Sequence, residues 1–199
     1  MQGSQQLNDK AVKYIQNGKL KEALPLLKKA IRQDPGNAAY YTNMSTALIL
    51  AKKHKQALKA IQQSIKHGAN PAQAYYALGN SYKTSNDLAN SAKYYRKALT
   101  YEPESPHFLN NLGVILGLTG KIQQAVSLFT QALAISPNES AIYVNLGAVY
   151  AEIGNLDAAI STFSKAIILN AGNAVAHSNL GNTLRMASRQ FEALDHATN

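Results

Sequence analysis

Asn111-Leu112-Gly113 recurs as Asn145-Leu146-Gly147 and again as Asn179-Leu180-Gly181, at a constant spacing of 34 residues. Towards the N-terminus the same slot reads Ala77-Leu78-Gly79 and Asn43-Met44-Ser45. Further along, Ala23, Ala57, Ser91, Ala125, Ala159 and Ala193 fall in register, as do Ile61, Tyr95, Phe129 and Phe163, and then Ala30, Ala98, Ala132 and Ala166. Pro35, Pro103 and Pro137 close three of the units. The register holds without insertion or deletion through 4–37, 38–71, 72–105, 106–139 and 140–173, and a partial sixth unit fills 174–199. A fixed period of this size marks a stack of supersecondary repeats. The place of a residue within its unit is here its column.

Each unit reads as two helices. Columns 4, 7, 8 and 11, for example Leu109, Leu112, Gly113 and Leu116, share one helical face. A break follows at Thr119-Gly120-Lys121, with glycine placed to end a helix. Ile122, Ala125, Val126, Phe129, Ala132 and Leu133 then repeat the helical spacing. No segment shows strict alternation, so the expected fold class is all-α, a solenoid of helix-turn-helix units forming one domain over 4–199. Small residues in columns 8 and 20 let two helices approach closely, and columns 4, 11 and 24 supply bulk. One such unit cannot bury its apolar faces alone; stacked units can. Unit 2 departs most, with Ser45 for glycine and Lys52-Lys53-His54 at the turn; Pro25 predicts a mild irregularity in a second helix. The sixth unit is expected to stop partway through its second helix, leaving Ala193, Leu194 and Ala197 as an uncovered stripe through which copies could self-associate, or a longer chain continue.

The set Tyr143, Leu146, Gly147, Tyr150, Ala159, Phe163 and Ala166, with a closing proline in other units, resembles the tetratricopeptide repeat (TPR). The resemblance covers essentially the whole chain. It implies a right-handed superhelix whose concave face is lined by the first helix of each unit.

Composition narrows the function classes. Apolar residues make up 46% of the 199 residues, enough for a sizeable core. Cysteine is absent, which excludes disulfides and thiolate chemistry. No glycine loop, His-Glu-x-x-His or nucleophile elbow occurs, and His54, His67, His107, His177 and His196 form no i, i+4 pair. The expectation is therefore a non-enzyme without metal or cofactor, placed in the cytoplasm.

Charged residues are balanced by neutral amides, 18 Asn and 13 Gln. Column 6 reads Asp9, Asn43, Ala77, Asn111, Asn145 and Asn179; nearby groove columns add Asn110, Asn80 and Asn182. Asparagine is a mediocre helix former, and its side chain can pair with both C=O and N–H of an extended peptide. Asn43, Asn80, Asn110, Asn111, Asn145, Asn179 and Asn182, with Tyr76, are the candidate peptide-binding residues. The column resembles the asparagine ladder in the repeat region of the O-linked N-acetylglucosamine transferases, interrupted here by Ala77. That resemblance implies a grip on substrate backbone, and it raises the alternative of a substrate-recognition arm of a larger glycosyltransferase-like enzyme. Repeat domains that capture chaperone C-termini resemble one another in a clamp whose places here hold Asn8, Val12, Asn43, Gln73 and Ala77. Only Asn43 matches, so that function is excluded for units 1–3.

The net charge of +9 is lopsided. Residues 1–105 carry 16 Lys/Arg against 6 Asp/Glu, whereas 106–199 carry 4 against 5. Lys28, Lys29, Arg32, Lys59, Lys66, Lys93, Arg96 and Lys97 occupy columns 22, 25, 26 and 29, which predicts a basic convex patch. An acidic protein, an anionic lipid surface or nucleic acid would fit it, nucleic acid least, since no aromatic residues placed for stacking on bases are expected among these lysines. The main expectation is a scaffold holding a protein or peptide in the concave groove.

Overall fold

The computed structural model describes the backbone of residues 3–198 and the side chains of residues 3–188. Among them lie eleven α-helices and no strand. They fall into two compact units, 1–103 and 104–199. The first holds α1 (Ser4–Gln16), α2 (Leu20–Gln33), α3 (Ala38–Leu50), α4 (His54–Lys66), α5 (Ala72–Thr84) and α6 (Leu88–Tyr101). The second holds α7 (Pro106–Leu118), α8 (Ile122–Ile135), α9 (Ser140–Glu152), α10 (Leu156–Leu169) and α11 (Ala174–Thr198). In all five complete repeats the first helix occupies columns 1–13 and the second begins at column 17. Pro25 lies inside α2 without ending it.

The turn inside each repeat has one construction. Column 15 takes the left-handed conformation five times: Gly18 (φ 70°), Lys52 (55°), Asn86 (57°), Gly120 (73°) and Gly154 (75°). Two reverse hydrogen bonds accompany it, as between Gly120 N and Gly117 O (2.9 Å) and between Lys121 N and Leu116 O (2.8 Å). The same pair recurs at Lys52–Ile49 and Lys53–Leu48. This is the Schellman closure, which satisfies carbonyls that the helix end would otherwise leave bare. Unit 2 therefore keeps the turn although its lysine bears a side chain where glycine is favoured.

Columns 8 and 24 are complementary. A Cβ on Gly79 would lie 2.6 Å from two ring carbons of Tyr95. On Gly113 and Gly147 it would lie 2.8 Å from Phe129 and Phe163. Where column 8 carries a side chain, Ala11 or Ser45, column 24 is the slimmer Leu27 or Ile61, and all four are buried. Ser91 replaces the usual alanine of column 20 and donates its hydroxyl to the Gly79 carbonyl (3.0 Å). Column-4 tyrosines tie repeats together: Tyr41 and Tyr143 donate to the carbonyls of Pro35 and Pro137, each at 3.1 Å.

The sixth repeat differs from the sequence reading. A turn is expected near 187–189, but α11 runs unbroken through it. Column 15 is Ser188, whose hydroxyl bonds back to the Leu184 carbonyl (3.1 Å) as a helical serine does. Serine, like Lys52 in the second repeat, is not a favoured residue for the left-handed conformation; Lys52 adopts it all the same, and Ser188 stays helical. Ala193, Leu194 and Ala197 lie outside the described side chains.

Candidate functional site

The faces formed by first helices carry two pockets built from the same columns. In the first unit, Thr46, Ile49, Leu50 and Lys52 face Ala77, Asn80, Ser81 and Thr84 across about 390 Å³. In the second, Val114, Gly117 and Leu118 of α7 face Asn145, Ala148, Val149 and Glu152 of α9 across about 120 Å³, over Phe129. Column 6 explains part of the difference: Ala77 leaves space that the longer Asn145 occupies. Each pocket is rimmed by a column-13 leucine in water, Leu50 at 55% and Leu118 at 64% exposure. Met186, in the same column two repeats on, is 49% exposed. Large apolar side chains that face solvent at a fixed helical position are available to a ligand rather than to the core.

The amides are partly committed. Asn43 donates to Asn8 Oδ1 (2.8 Å) and Asn145 to Asn110 Oδ1 (2.9 Å), a column-6 to column-5 bridge between neighbouring first helices in each unit. Asn80 accepts from the Tyr95 hydroxyl (2.6 Å). Asn111 donates to its own helix at His107 O (2.9 Å), and Asn182 accepts from Arg185. Each bridging donor keeps a second N–H and its carbonyl, and Asn43, Asn110, Asn145 and Asn179 are all half-buried. Tyr76 is also half-buried, its ring 5.6 Å from that of Tyr95. The structure thus places these residues along the first helices, but no single cluster unites them.

At the edge of the larger pocket His54 Nε2 lies 2.8 Å from Ser81 Oγ, with the ring against Tyr82 (4.1 Å between centroids). Burial holds the His54 imidazole below its usual range; Asp87 opposes this and Lys52 adds to it. Ser81 sits mid-helix, where neighbouring N–H groups are used by the ladder, so the pair has no oxyanion donors at hand. Burial also pushes the Tyr95 hydroxyl up to about 12.

A tetratricopeptide repeat model matches residues 14–80 and 118–185, and a second, for YpiA-like C-terminal tetratricopeptide repeats, matches 72–139. The chain belongs to the tetratricopeptide repeat family. Solved TPR structures show the same fold. YrrB, described as a TPR protein with an unusual peptide-binding site, is 20% identical, with a TM-score of 0.69 over 87% of this chain and 89% of that one. MamA from Desulfovibrio magneticus is 16% identical, with a TM-score of 0.70 over 86% and 97%. The first TPR of Spaghetti (RPAP3), bound to the HSP90 peptide SRMEEVD, is 20% identical, with a TM-score of 0.57 over 59% and 93%.

On the outer sides of the TPR second helices, Lys28, Lys29, Arg32, Lys59, Lys66, Lys93, Arg96 and Lys97 are all exposed. Lys97 lies over the rings of Tyr75 (5.2 Å) and Tyr94 (6.0 Å), and Lys93 over Tyr94 (5.6 Å). The sequence reading missed Leu50 and Leu118. Column 13 reads Gln16, Leu50, Thr84, Leu118, Glu152 and Met186, so an apolar residue at every second repeat was the signal. No described helix is long and apolar enough to cross a membrane.

Proposed function

We propose that this TPR chain is a non-enzymatic scaffold that holds a partner polypeptide on the faces of its first helices. The partner's apolar side chains enter the pockets beside Leu50 and Leu118. The unspent capacity of Asn43, Asn145 and Asn179 holds its backbone. The observation that carries this reading is the recurrence of one pocket at identical columns, each with an exposed leucine on its rim. Apolar anchors in pockets dominate protein-protein binding energy, while surrounding amides fix orientation. Two neighbours, one bound to a peptide and one described as having a peptide-binding site, lend support by likeness of fold.

The test uses peptides selected against the full chain from a random display library. Leu50→Asp together with Leu118→Asp should weaken the best of them by about tenfold or more, since a desolvated anchor contact is worth over a kcal/mol. Circular dichroism should be unchanged, because both side chains already face water. Equal affinity in parent and double variant would count against the reading.

A further inference from the structure

We infer that the outer face of α2, α4 and α6 is a second interaction surface, one that docks an acidic polypeptide segment. It is independent of the pocket reading. On α2 the surface carries Lys28, Lys29 and Arg32. On α4 it carries Lys59 and Lys66. On α6 it carries Lys93, Arg96 and Lys97. Columns 22, 25, 26 and 29 stand at i, i+3, i+4 and i+7, so each helix presents them as one stripe. α2 and α4 both pack against α3, and α6 packs against α5, which itself packs on α3, so the three stripes belong to one packed unit rather than to scattered segments.

The field is not neutralised from within. No cation of the stripes forms an ion pair with a carboxylate among the described residues. Four of the unit's five acids are turned to amides instead: Asp9 accepts from Gln5, Asp34 from Asn37, Asp87 from Asn90, and Glu102 from Asn70 and Gln73; the fifth, Glu22, lies in the first turn of α2. Nor is the field a general solubility coat. The matching places on α8 and α10 hold Ser127, Thr130, Ser161 and Ser164, with Lys165 as an exception. A solubility coat would be spread over both units.

The chemistry favours an acidic polypeptide. Leu50 and Tyr101 are the large apolar side chains exposed on this unit; Leu50 lies on a first helix, and Tyr101, four residues beyond Lys97 at the end of the α6 stripe, is a single ring stacked on Tyr75, so the stripes carry no apolar face to bury in a bilayer. Tyr75 and Tyr94, the rings beside the lysines, are buried beneath the ammonium groups and offer no face to a base. Those cation-ring contacts hold Lys93 and Lys97 in place before a partner arrives.

The experiment measures binding of labelled poly-L-glutamate to the full chain. Lys28→Gln, Lys29→Gln and Arg32→Gln together should weaken it about tenfold at low salt, and binding should fall steeply as ionic strength rises. Ser127→Glu, Thr130→Glu and Gln131→Glu change the net charge equally on the other unit and should stay within about twofold of the parent. Equal losses in the two charge variants would overturn the inference. So would binding of phosphatidylserine vesicles or single-stranded oligothymidylate about tenfold tighter than poly-L-glutamate at the same salt.

Discussion

Gly79→Ala adds one carbon where the structure has no room for it. The new Cβ would sit 2.6 Å from Cδ1 and Cε1 of Tyr95 and 3.2 Å from Cγ. Comfortable carbon contacts begin near ~3.5 Å, so ring and backbone must part by close to an ångström. The ring is poorly placed to yield. It is fully buried, its hydroxyl is held by Asn80 at 2.6 Å, and the Tyr76 ring lies 5.6 Å away. Overpacking of this kind costs about 1–3 kcal/mol. Alanine returns about 1 kcal/mol of helix propensity. With so close a contact the upper part of the overpacking range applies, and the net loss is about 2 kcal/mol. Urea denaturation followed by circular dichroism reads this as a lower midpoint. Gly181→Ala is the control in the same column: no described atom lies within 4 Å of its Cβ, so the same substitution should stabilise by about 1 kcal/mol. Tyr95→Leu combined with Gly79→Ala copies the Ala11–Leu27 pairing of the first repeat. The double variant should be more stable than the two single effects predict by about 1 kcal/mol or more. A Gly79→Ala variant as stable as its parent, with no coupling to Tyr95, would refute the knob-and-slot reasoning.

Three further outcomes follow from the turns and the titrating groups. Lys52→Gly should stabilise by about 1 kcal/mol in the same denaturation assay, because it relieves a side chain at φ 55°, whereas Gly120→Ala, at φ 73°, should destabilise by a similar amount. His54 is held below its usual pKa by burial, so the fold favours the neutral ring. Its contribution is present above pH about 6.5 and declines as the pH falls below that value; a stability-pH profile should show this, and His54→Gln should flatten it. Tyr95 is pushed up to about 12, so its contribution is complete below pH about 10 and is lost as the pH rises from there towards 12. Burial raises Tyr75, Tyr82 and Tyr94 as well, and absorbance titration of phenolate should lose its last-ionising tyrosine in Tyr95→Phe.

The repeat length, the two helices per unit and the small-residue columns were legible because each rests on local spacing. The pairing of Gly113 with Phe129 was not drawn from the sequence, although columns 8 and 24 vary together within the one chain. The continuity of α11 was hidden by the register itself: alignment with Gly120 and Gly154 implied a turn that Ser188 does not make. The candidate site was legible in its location and less so in its parts. Column 6 marked a face that also carries both pockets, yet Asn43 and Asn145 spend a donor on Asn8 and Asn110, because an amide at one helix surface finds its complement on the next helix. Sequence alone could not price that competition. Leu50 and Leu118 were passed over because leucine in a helix ordinarily signals core, and only the exposure separates the two roles.

The most direct test is a crystal structure of the full chain with a display-selected peptide. The account predicts peptide side chains in the pocket between α3 and α5 or in that between α7 and α9, against Leu50 or Leu118. A peptide seated away from both pockets would contradict it.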